Sequence, residues 1–140
     1  MVPTVTATME ERRRLRFTLA QHRMTRNDFA RAYAQGRRAQ GEAVAVVVLE
    51  NGLDRLRMGL SVGKRYARDA VPRNRMRRVL REAVRLAQHE LPSGVDVVLV
   101  ANVPGAVPRL AELRAALPEL VARALRKAPR KIAPPRGDRA

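Results

Sequence analysis

At 140 residues with no cysteine, the chain has the size of one domain that buries its core without disulfides, and thiolate metal sites and thiol chemistry are excluded. Lysine and arginine number 29 against 13 acidic residues, a net charge of +16 with a pI near 11.8, which points to a polyanionic partner. No apolar run reaches membrane-spanning length, and the threonine-rich start lacks the apolar centre of a signal peptide, so a cytoplasmic protein with no membrane partner is expected.

Residues 1–21 carry little apolar periodicity and read as a flexible basic N-terminal arm. Residues 22–126 read as a single α/β domain. Within it, Thr25 followed by Asp28 has the pattern of a capping box, and Gly36 supplies a stop, which predicts a helix from Thr25 to Gln35. Phe29 and Tyr33 lie four residues apart on it, and the chain has only two phenylalanines and two tyrosines. Such a pair either plugs a core or offers faces on which unpaired bases stack. Arg37 to Gln40 suggests a short edge strand.

Ala43 to Leu49 (AVAVVVL) is apolar on both faces, as a central strand requires, and Asn51-Gly52 marks a turn. From Arg55 to Val62 the sequence alternates, with Leu56, Met58, Leu60 and Val62 on one side and Arg55, Arg57, Gly59 and Ser61 on the other. The expectation is an antiparallel hairpin of these two strands with one partly solvated, basic face. Val95 to Ala101 (VDVVLVA) reads as another buried strand. Leucines from Leu110 to Leu125 keep helical spacing, with a kink or restart expected at Pro118. Residues 127–140, rich in proline and charge, read as a disordered basic tail. One sheet with helices packed on it is the economical architecture.

The densest signal is Arg73 to Glu82, RNRMRRVLRE. At 100° per residue Met76, Val79, Leu80, Ala83, Leu86 and Ala87 share one arc, while Asn74, Arg77, Arg78, Arg81 and Arg85 lie opposite. Pro72 suits the first turn of this helix, and Asp69 lies near its positive end. Between Lys64 and Arg85 nine basic side chains face two acidic ones. A solvated helix face ordinarily mixes signs, whereas concentrated like charge costs a few tenths of a kcal/mol per pair. A phosphate backbone relieves that repulsion, and the planar fork of arginine suits phosphate oxygens.

Catalytic constellations are missing. His22 and His89 are isolated, Ser61 and Ser93 lack a nucleophile-elbow context, and Gly63-Lys64 lacks the other parts of a phosphate-binding loop. Asp54, Asp69 and Asp96 have no evident pairing in the sequence. The residues speak for binding and against catalysis.

The run LSVGKRYARDAVPRNRMRRVLREAVR (Leu60 to Arg85) closely resembles the signature of the protein subunit of bacterial ribonuclease P, and Thr25-Arg-Asn-Asp-Phe29 with Tyr33 and Gly36 resembles that family's first helix. Tyr66-Ala67 departs from it, standing where many members have an aliphatic residue and glycine. The resemblance implies an α+β two-layer sandwich in the order α-β-β-β-α-β-α, with a left-handed βαβ crossover against the usual preference. It also implies a protein that assists a catalytic RNA in removing the 5′ leader of precursor tRNA, with Mg²⁺ held mainly by the RNA. No protein catalytic residue, no protein-bound metal and no obligate protein partner are then expected. By the same resemblance, contacts to the catalytic RNA fall on Lys64, Arg65, Arg68, Arg73, Asn74, Arg75, Arg77, Arg78 and Arg81, and the leader-binding cleft uses Phe29 and Tyr33. The alternative is a ribosomal-type or chaperone-like RNA-binding protein without a processing role.

Overall fold

The computed structural model describes residues 23–127. The expected N-terminal arm, nearly all of the expected tail, and His22 lie outside the described residues. Inside them the elements run α1 (Arg26–Gln35), β1 (Arg37–Gln40), β2 (Ala45–Glu50), β3 (Arg57–Ser61), α2 (Ala70–Ala87), a 3-10 turn (Gln88–Glu90), β4 (Val95–Val100) and α3 (Leu110–Arg126).

The expected hairpin of β2 and β3 does not form. The sheet order is β1-β2-β4-β3, with β4 antiparallel to β2 and parallel to β3. Burial supplies the reason. Apart from Asp96 and the end of β2 at Glu50, β2 and β4 are apolar on both faces and most of their residues are buried, so each needs a strand on either side. The alternating, half-exposed β3 tolerates an edge. Asn51-Gly52 makes a wide turn across the start of β4, with Asn51 N–H donating to Gly94 O at 2.9 Å and Gly94 N–H to Arg55 O at 3.2 Å. Gly52 takes φ 71°, and the Asn51 side chain accepts from Leu53 N–H at 2.8 Å, a local closure that needs no paired strands.

Two cores result from the period of two along the strands. Val46, Val48, Val97 and Leu99 face α2 and α3, which pack against each other over this side and form the larger core. Val47 and Val98 face the opposite way, where Met24 and Ala32 of the α1 segment cover them. The crossover from β3 to β4 passes through α2, so the cationic helix begins just beyond the end of β3.

Pro118 neither ends nor restarts α3, which runs unbroken through it. Leu117, Leu120 and Val121 beside it are all buried, so packing on the sheet secures both halves despite the missing N–H. Helix α1 has the predicted capping box, with Asp28 N–H donating to Thr25 Oγ1 at 3.2 Å and Thr25 N–H donating to Asp28 Oδ2 at 2.7 Å.

Candidate RNA interface

Helix α2 buries Met76, Leu80, Ala83 and Ala87 and turns its arginines outward, as the pattern predicts; Val84 is buried as well, and Val79 and Leu86 are only half-buried. It starts at Ala70, three residues before the Arg-Asn-Arg triplet, with Asp69 as an N-cap that makes no side-chain capping bond. Pro72 still lies in the first turn, where no N–H is missed. Arg73, Asn74 and Arg75 therefore sit one turn into the helix. Lys64 and Arg65 are exposed in the turn after β3, and Arg68 is exposed just before α2.

Among the described residues, none of the eight cations Lys64, Arg65, Arg68, Arg73, Arg75, Arg77, Arg78 and Arg81 forms an ion pair. Positive charge on this face is not neutralised by acidic groups among the described residues. Further along the helix the situation reverses: Arg85 grips Glu82 through two bonds of 2.9 and 2.5 Å, which holds the Glu82 carboxyl below its ordinary range. The cationic field is thus concentrated on the turn and the N-terminal half of α2.

Arg77 differs from its neighbours. It is half-buried, and its guanidinium donates to Asn74 Oδ1 at 2.8 Å and to Val62 O at 3.0 Å. One side chain therefore orients the amide of the triplet and ties the end of β3 to α2. Arg73 donates to Asp69 O at 3.2 Å, bracing the helix start while remaining partly exposed.

Phe29 and Tyr33 stand apart from this field, on α1 across the other face of the sheet. Phe29 is half-buried against the smaller core, and its ring lies so close over Gly59 that a Cβ there would be 2.3 Å from Cζ. Tyr33 is 38% exposed.

The sequence reading misses what holds α1 in place. Arg57 does not lie on a solvated face; its guanidinium binds Asp96, which is fully buried on β4, through bonds of 2.8 and 2.9 Å. The same group reaches Asp28 of α1 at 3.1 Å, and Asn51 Nδ2 completes Asp96 at 2.9 Å. Hydrogen bonds from the Thr25 backbone and hydroxyl, helped by the Arg57 charge and opposed by burial, hold the Asp28 carboxyl below its ordinary range. A signal existed: an aspartate inside the apolar run VDVVLV must find a cationic or donor partner once buried.

The chain is similar to known proteins in sequence and in fold. The Ribonuclease P family profile matches residues 17–125. The ribonuclease P protein component of Haemophilus influenzae is 35% identical over 89 residues, covering 64% of this chain and 74% of that protein. The component from Pseudomonas putida strain GB-1 is 44% identical over 62 residues, 44% of this chain, and the match spans 46% of that relative's length. Among solved structures, the RNase P protein from Thermotoga maritima superposes with a TM-score of 0.63 at 27% identity, covering 73% of this chain and 96% of that one.

Proposed function

The chain belongs to the ribonuclease P protein family, and from that premise we propose that it is the protein subunit of ribonuclease P, an endonuclease acting in tRNA maturation. In this reading the eight cations around the start of α2 dock the catalytic RNA by its phosphates, with Asn74 held among them by Arg77. The surface formed by α1 and the adjoining sheet, with Phe29 and Tyr33, holds the single-stranded 5′ leader of precursor tRNA. The protein contributes no catalytic residue. It binds, orients and neutralises while the RNA subunit carries out hydrolysis in the cytoplasm.

The observation that carries the proposal is the unneutralised cationic field, set on a different face from the aromatic pair. Two separated surfaces suit a protein that holds one RNA and presents another. Magnesium, in this reading, is held mainly by the RNA. Asp28 and Asp96 do not fit a protein site for it, because their oxygens already accept from Arg57, Thr25, Arg31 and Asn51, and no step is routed through a protein-bound ion.

The test incubates precursor tRNA and Mg²⁺ with the protein alone, with ribonuclease P RNA alone, and with both at physiological salt. Cleavage by the RNA should rise sharply when the protein is added. Cleavage by the protein alone, or no enhancement, would overturn the proposal, and binding without enhancement would favour an RNA-binding protein without a processing role.

A further inference from the structure

We infer that Tyr66 is a positioning residue for the cationic turn: it latches the segment carrying Lys64, Arg65 and Arg68 to the loop between β4 and α3. The inference deepens the docking reading above and rests on it. Lys64, Arg65 and Arg68 are exposed in a connection without helix or strand structure, so packing of their own side chains does not hold that segment in place. Tyr66 points the other way and is 3% exposed within the larger core.

Bonds run in both directions at this point. The Tyr66 hydroxyl donates to Ala106 O at 2.9 Å, and Gly105 N–H donates back to Tyr66 O at 3.0 Å. The turn is itself closed by Tyr66 N–H to Gly63 O at 3.0 Å, and Arg77 holds the preceding carbonyl of Val62. Burial raises the phenol's pKa, against a smaller opposing effect of Arg75, so the hydroxyl remains a donor at neutral pH. Gly105 takes φ 72°, the left-handed conformation that glycine adopts without a Cβ penalty, so the chain turns between its N–H on Tyr66 O and the Ala106 carbonyl that accepts from the hydroxyl.

A turn held in its bound shape loses less conformational freedom when it meets a polyanion, so the latch is felt as affinity without touching the RNA. Removing one neutral hydrogen bond corresponds to about a two- to tenfold effect.

The test measures binding of the full chain to ribonuclease P RNA across a salt series, together with thermal unfolding. Tyr66→Phe should weaken binding by about two- to tenfold with an unchanged log–log salt slope, because the phosphates are still neutralised. The loss should shrink in a Lys64→Ala/Arg65→Ala background, where only Arg68 remains on the segment, and persist in full in an Arg81→Ala background. Gly105→Ala, strained at the other side of the latch, should reproduce it. Wild-type affinity for Tyr66→Phe, while Lys64→Ala/Arg65→Ala binds weakly, would overturn the latch alone. So would an equal loss in both backgrounds accompanied by a lower melting temperature. Wild-type affinity for Lys64→Ala/Arg65→Ala would overturn the docking reading and the latch with it.

Discussion

Replacing Arg57 by methionine keeps an unbranched apolar stem at that position and removes only the charge and its hydrogen bonds. Asp96, with 0% exposure, then retains a single side-chain partner, Asn51, and Asp28 loses its tie to the sheet. Breaking a buried ion pair from one side costs about 3–5 kcal/mol, a large part of the ~5–15 kcal/mol that holds a domain folded. At about 4 °C per kcal/mol for a domain of this size, the melting temperature should fall by roughly 12–20 °C. The chain has no tryptophan, so far-ultraviolet circular dichroism during heating and urea unfolding is the suitable probe. Adding Asp96→Leu to Arg57→Met removes the stranded charge and should recover a substantial part of the loss. A loss below about 1 kcal/mol for Arg57→Met, or no recovery in the double variant, would refute the view that this ion cluster fastens α1 to the sheet.

Arg73→Ala with Arg75→Ala should weaken binding of the partner RNA and reduce its log–log salt slope by about 0.7 to 0.9 for each phosphate left without its arginine; an unchanged slope would remove these arginines from the phosphates. Tyr33→Ala should spare binding of the partner RNA and reduce preference for leader-bearing precursor over mature tRNA, measured by competition, while Phe29→Ala should also lower folding stability because its ring covers Gly59. Acid titration of stability should show a loss as pH falls below the ordinary carboxylate range. Asp28 and Glu82 have folded pKa values below their unfolded ones, so their stabilisation is complete above the unfolded values and disappears as pH descends through the folded ones. Asp28→Asn should flatten that dependence in urea midpoints measured against pH.

Local chemistry was legible in the order of the residues. Thr25 and Asp28 are three residues apart, so their capping box depends on neighbours in the chain alone. The division of α2 into a buried Met76–Leu80–Ala83 face and an exposed arginine face follows from helical period. The exposed arginines of α2 were readable for the same reason, whereas Lys64, Arg65 and Arg68 lie in an irregular turn that no period describes and were singled out by the family resemblance. Arg77 was not separable from Arg78 by periodicity, because its use depends on a carbonyl at Val62 across the turn. Likewise the partner of Asp96 came from a strand 39 residues away.

Neighbouring residues settle which segments become helices and strands and which faces they bury, because capping and hydrophobic period act over a few positions of the chain. Which strands lie side by side is a matter of the whole fold. An apolar strand such as β2 specifies that both its edges must be paired but not by whom, and Asn51-Gly52 closes locally whether or not a hairpin follows. Inserting β4 between β2 and β3 buries both central strands. It also brings Asp96 beside Arg57 and carries the Tyr66 turn to the Gly105–Ala106 loop. The anchor of α1 and the support of the cationic turn both come from that one non-local pairing.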